Sequence, residues 1–190
     1  MKRILITLLV LPVAFIASAE VFNFDFNVTN GAFDFETGTG QVTTNGITMD
    51  FAAVVSGDSG AILNAGSGYF GVNATGADDA SLLNSGQTIA ISFSSSFYTS
   101  IELQNIDLGA FTVAGSDAGT YQVTGDSAAA LSGDTTLATE VLNKTLTFAS
   151  TGGAWSVNGI TVEAVPEPAT FAMFGIGAII AVIIRRSAQK

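Results

Sequence analysis

Apolar and polar residues alternate through most of the middle of the chain. Phe22, Phe24, Phe26 and Val28 are interleaved with Asn23, Asp25 and Asn27. This period of two gives a strand one apolar and one wet face. It returns in Ile47-Thr48-Met49-Asp50-Phe51, in Ile89-Ala90-Ile91-Ser92-Phe93 and in Phe111-Thr112-Val113, and over shorter runs at Tyr121-Gln122-Val123 and Leu146-Thr147-Phe148. Across 101–108 the apolar positions are 101, 103, 106 and 108, a slip of one residue. A β-bulge produces such a slip and re-aims the rest of the strand. A second slip separates Trp155 and Val157 from Ile160 and Val162, with Gly159 at the break. Residues 135–143 read equally well as a short helix or a strand.

Clusters of Gly, Ser, Asn and Asp at 29–31, 56–60, 64–68, 114–119 and 151–153 separate these runs and predict turns. No long segment carries a helical stripe, and no repeat of fixed period is present. Many short strands with regular turns predict an all-β antiparallel sandwich closed by Greek-key connections.

Two stretches do not alternate. Residues 4–16 are an apolar run interrupted by Pro12; Lys2 and Arg3 precede it and Ala17-Ser18-Ala19 follows. That order predicts a secretory signal peptide over 1–19, cleaved between Ala19 and Glu20. Residues 169–184 carry no charge, and Arg185-Arg186-Ser187-Ala188-Gln189-Lys190 closes the chain. As a helix those sixteen residues rise roughly 24 Å, a short single transmembrane span. The arginines would stay on the cytoplasmic side. Helix cannot run back through Pro168, which lacks an N–H and biases Glu167 toward an extended backbone. The predicted precursor is a hairpin with both termini in the cytoplasm and residues 20–164 exported.

Composition removes much chemistry. The chain has no cysteine and no histidine. Disulfides, an acylated lipoprotein cysteine, zinc–thiolate sites and cysteine nucleophiles are excluded, as are serine–histidine triads. Charge is partitioned. The exported part holds ten Asp and five Glu against Lys144 alone, a net charge of −14. A field of that sign repels nucleic acid and anionic membrane surfaces. It keeps a secreted domain soluble, and it also suits a calcium-rich setting or neutral and cationic polymers.

The ordered tail of Val165-Pro166-Glu167-Pro168, apolar run and Arg185-Arg186 resembles the PEP-CTERM sorting signal over about the last 25 residues. The resemblance implies recognition by an exosortase, a membrane cysteine protease-transpeptidase that cuts near the Pro-Glu-Pro. It also implies a transient stop in the inner membrane of a Gram-negative, polysaccharide-producing bacterium. A plain tail anchor explains the apolar run and the arginines but not the prolines. Gly68-Tyr69-Phe70-Gly71-Val72, the Gly76-Ala77-Asp78-Asp79 loop and the following 88–93 strand look like the jelly-roll ectodomains of such proteins. The fold expected is a jelly-roll-like antiparallel β-sandwich.

Within the exported part, Asp78 and Asp79 are the adjacent pair of loop acids, a candidate calcium site that Asp58, Asp117 or Asp126 would complete; solvated loop acids are the plain alternative. Nothing marks a carboxylate pair for glycosidase work, so the expectation is a non-enzymatic protein without a cofactor. Its role would be a structural or adhesive component at the cell surface or in a biofilm matrix, in contact with extracellular polysaccharide. A carbohydrate-binding module is the competing reading. Tyr98 and Trp155 are its candidate stacking residues, with Tyr98 expected on the surface and Trp155 the more core-like of the two.

Overall fold

Alternation puts one apolar face on each strand, and the fold sandwiches those faces. The computed structural model describes residues 18–26, 37–66, 69–74, 82–112, 116–167 and Arg185. Its strands, in chain order, are β1 (Glu20–Asp25), β2 (Thr39–Thr44), β3 (Ile47–Val55), β4 (Ile62–Gly66), β5 (Tyr69–Asn73) and β6 (Leu83–Asn84). There follow β7 (Gln87–Ser95), β8 (Tyr98–Gly109), β9 (Ala118–Val123), β10 (Ala129–Ala130), β11 (Thr135–Glu140), β12 (Thr145–Gly152) and β13 (Ala154–Pro166). One sheet runs β1-β13-β8-β11, with β6 against the start of β13; the other runs β10-β9-β12-β7-β3-β2. β4 and β5 pair with each other, and every strand pairing is antiparallel.

The two sheets share one core. Phe24, Leu103, Ile106, Ile160 and Val162 come from the first, and Ile47, Met49, Phe51, Ile89, Ile91, Phe93, Leu146 and Phe148 from the second. Phe26, Phe51 and Phe70 meet in a ring cluster with centroids 5.4 to 5.6 Å apart. Each such ring contributes roughly 1.5–3 kcal/mol by leaving water. Among the described residues no buried side-chain polar atom lacks a hydrogen-bond partner.

Both phase slips are bulges. Val162 lies opposite Leu103 and Thr161 opposite Asn105, so Gln104 is the extra residue on β8. Val157 lies opposite Leu108 and Gly159 opposite Asp107, so Asn158 is extra on β13. The Phe26 amide donates to the freed Asn158 carbonyl at 2.7 Å. Gly159 sits where a Cβ would stand 2.4 Å from the Phe24 carbonyl oxygen, which is why the slip carries a glycine.

Other segments differ from expectation. Phe111 and Thr112 form no strand, and Val113 lies outside the described residues. Phe111 packs its ring edge-on against Trp155 at 5.6 Å, and the Thr112 amide donates to Asp117 Oδ2 at 2.8 Å. Burial of the ring therefore needs no ladder. The cluster at 64–68, expected as a turn, begins inside β4. Residues 135–140 settle as strand, irregular between Thr136 and Thr139.

Candidate sorting and processing site

β13 is the central strand of its sheet, and its C-terminal end runs into the proline-flanked acid. At Ala164 it is paired on both sides, with Glu20 of β1 and Ile101 of β8. Val165 is paired with Ser100 and Pro166 with Tyr98, across an irregularity in register. Thr99 Oγ1 donates to the Val165 carbonyl at 3.3 Å. Glu167 lies beyond the strand and is exposed. Two residues assigned to the motif are thus the last rungs of the sandwich, and the compact unit spans Ala19–Pro166. Pro168, Arg186, the apolar run 169–184 and residues 1–17, including Ala17, lie outside the described residues. Arg185 is exposed. Among the described residues no helix is long and apolar enough to cross a membrane.

Glu20 opens β1 beside the end of β13, so the expected signal-cleavage point and the tail leave the sheet at the same end. Tyr98 closes the core there. It is 9 % exposed, its ring meets Phe22 edge-on at 5.8 Å, and its hydroxyl donates to Glu20 Oε2 at 3.4 Å. Burial pushes the Tyr98 hydroxyl pKa up, and the Glu20 charge and hydrogen bond add to the rise. Next to it Phe97 is 64 % exposed. Ser95 fixes that hairpin tip: its hydroxyl donates to the Gly46 carbonyl at 2.7 Å and accepts from the Phe97 and Tyr98 amides at 3.0 and 3.2 Å. Gly46, at φ +75°, leaves room for the Phe97 ring. Glu20, Asn45, Gly46, Phe97, Tyr98 and Pro166 line a depression of about 370 Å³ at this end.

The aromatic candidates for ligand stacking are corrected by their burial. Trp155 is wholly buried; its Nε1 donates to the Ala118 carbonyl at 3.3 Å. Tyr98, expected on the surface, points inward, and its neighbour Phe97 takes the exposed place. Alternation requires that one of the pair be buried, and the Ser95-anchored turn decides which.

Asp78 and Asp79 lie outside the described residues. Asp58 Oδ1 accepts from the Gly60 amide at 2.8 Å, and Asp117 ties Thr112 to the Ala154 amide across two loops. The Asp126 backbone carbonyl accepts from Gln122 Nε2 at 2.9 Å. These acids serve separate turns. Among the described residues no group of three or more Asp or Glu is placed to hold a metal ion.

Sequence reading missed a polar groove at the Gly159 bulge. Asn23, Asp25, Asn105, Asp107, Asn158 and Thr161 line a space of about 260 Å³ there. Thr161 Oγ1 donates to Asn23 Oδ1 at 2.8 Å. Burial, then the charges of Asp134 and Asp25, push the Asp107 carboxyl pKa up. The outward positions of three strands converge there, a proximity that no local spacing signals.

Residues 164–187 match the PEP-CTERM protein-sorting motif. The match begins at Ala164, which pairs with both β1 and β8, and covers the tail alone. No curated protein and no solved structure matches the chain.

Proposed function

We propose that this chain is an exported, non-enzymatic protein of the cell surface or extracellular matrix, sorted by an exosortase. The PEP-CTERM motif carries the reading, because it directly continues the last strand of a folded β-domain. In this reading residues 1–19 direct export and 169–184 hold the precursor in the inner membrane. Arg185 and Arg186 stop translocation, and Val165, Pro166, Glu167 and Pro168 are what the enzyme recognises. The domain then serves as structural or adhesive material among exopolysaccharide. Its strand orders β1-β13-β8-β11 and β7-β12-β9-β10 support a jelly-roll-like connection, with β2 and β3 extending the second sheet. Its net charge of −14 favours a solvated protein in a neutral polymer over one bound to nucleic acid or anionic lipid. Deleting residues 165–168 should leave full-length protein in the inner membrane, seen by fractionation. Unchanged delivery to the surface would defeat the proposal.

The polar groove favours one further reading, a carbohydrate-binding module. Asn and Asp side chains beside Asn158 offer the donors and acceptors that sugar hydroxyls need. A glycan array on the processed protein, with and without calcium, separates it from inert matrix material. Saturable binding abolished by Asn105→Ala would support the module; a blank array would leave the structural role.

A further inference from the structure

The two sheets of the sandwich turn unlike faces to solvent. In the strands of the first sheet stand Glu20, Asp25, Glu102, Asp107, Glu140 and Glu163. In the described strands of the second, Asp50 is the only charged residue. Glu102 lies directly opposite Glu163 on the outer face of the first, and Gln104 Nε2 donates to both, at 3.2 and 3.3 Å. We infer that the outer face of the second sheet is a contact surface for an extended neutral glycan, which rests on the reading of this domain as matrix material among exopolysaccharide. The contact lies on the opposite side of the sandwich from the groove at Gly159.

Inward positions of β2, β3, β7 and β12 build the core, so their alternates face outward. Thr43, Thr48 and Ser94 form one cross-strand row of that face, and Asp50, Ser92 and Thr145 form the next. Thr43 Oγ1 meets Thr48 Oγ1, and Ser92 Oγ meets Thr145 Oγ1, each at 2.8 Å. Asp50 Oδ1 accepts from Gln41 Nε2 at 2.6 Å, so even the one charge is tied down. Thr39, Gln41, Asp50, Ala52, Ala90 and Ser92 line a shallow trough of about 460 Å³ there. Outward positions on such a sheet repeat about every 6.8 Å along a strand and about 4.8 Å across strands. Short side chains, with Thr stiff at χ1, lose little freedom when a surface settles on them. Hydroxyls and methyls also give up water more readily than the ionised carboxylates of the first sheet. A second copy is a poor occupant, because two domains at −14 repel each other and the face lacks the apolar area of lasting homodimers. A neutral glycan brings no charge and presents hydroxyls of its own.

The test is retention of the full chain on insoluble cellulose, mannan and agarose, in micelles of a detergent without a sugar headgroup. At least one polymer should retain it, and added salt should change little, since no ion pair is involved. Thr147→Glu and Ala90→Glu each put a charge into the face, at paired positions of β12 and β7, and should weaken retention about tenfold or more. Thr147→Val keeps the shape, removes one hydroxyl and should still lower retention severalfold. Val21→Glu puts the same charge on the exposed outer side of β1 and should leave retention as it is. Retention on none of the polymers, retention abolished by salt, or equal loss with Val21→Glu would overturn the inference. So would loss with Asn105→Ala while the face variants still bind, which moves the contact to the groove, or a dimer that Thr147→Glu dissociates, which makes the face a self-interface. Each of these results leaves sorting standing, because delivery is read by fractionation of the chain lacking residues 165–168 and not by retention.

Discussion

The two ends of the β1–β13–β8 ladder treat their carboxylates in opposite ways. At the exit end Glu140 accepts from the Ile101 amide at 3.1 Å, the Leu142 amide at 2.9 Å and the Ser100 hydroxyl. Five residues back along β13, at the Gly159 bulge, Asp107 faces Asp25 and Asp134. One carboxylate is knitted into the rungs that hold the sorting peptide, and the other is crowded by its own kind. Acid in this chain is therefore not uniform solvating charge: where the tail leaves, it fastens backbone, and in the groove it works against the fold.

The comparison breaks most severely at Gly159. A Cβ there must displace the Phe24 carbonyl, 2.4 Å away, which is backbone and cannot rotate aside. Gly159→Ala should destabilise the domain by roughly 1–3 kcal/mol, as overpacking does, read from the denaturation midpoint. Hydrogen exchange should localise the damage. The Phe26 amide, which donates to Asn158, should lose protection before the Ala164 end does. Equal loss at both ends would mean the ladder is one rigid unit and the contrast between its ends is only electrostatic.

Glu140 comes next. Burial alone would push its carboxyl up, but hydrogen bonds from Ser100, Leu142 and Ile101, with Lys144 nearby, outweigh it and hold the pKa below the usual glutamate range. The folded state thus favours the ionised form. That contribution is complete above the ordinary glutamate pKa and is lost as pH falls through the lowered folded value. Glu140→Ala leaves two backbone amides without their acceptor and should cost about 2 kcal/mol at pH 7. Part of that difference should vanish in acid. Because Ser100 is the rung opposite Val165, the variant should also loosen the tail's anchorage.

What the sequence made legible depends on physical range. Both bulges could be read because a slip in a period-two pattern is local: 103 to 106 and 157 to 160 are visible in a few residues. β2 escaped because five of its six residues, Thr39–Thr44, are Gly, Gln or Thr, and only Val42 is buried. β4 and β5 were masked by Gly and Asn, which look like turn chemistry until pairing uses them as strand. Tyr98 and Phe97 could not be told apart, since alternation fixes the period but not the phase at a hairpin tip. The Glu140 tie joins residues about forty positions apart, and the Asp107 groove joins strands from both ends of the chain. The sorting motif was the opposite case, a contiguous string whose order alone is diagnostic. Its overlap with β13 was hidden, because Val165 and Pro166 belong at once to a motif read along the chain and a ladder formed across it.

Asp107 gives the smallest effect and the sharpest sign. Its folded pKa is raised, first by burial and then by Asp134 and Asp25, so the folded protein holds that proton more tightly than the unfolded chain. Stability from this group is full below the ordinary aspartate pKa and is lost as pH rises through the raised value. At neutral pH the charge is a liability, and Asp107→Asn should stabilise the domain. The side chain is only partly withdrawn from solvent, so screening keeps the gain within about 0.5 kcal/mol. The gain should fade toward pH 3, and added salt should reduce it at pH 7. The Glu140→Ala loss also shrinks in acid, but from the opposite sign, so the two variants' stabilities should approach each other as pH falls. A destabilising Asp107→Asn at pH 7 would mean that a cation or hydrogen-bond partner offsets the crowding, and the groove would then have to be regarded as a binding site.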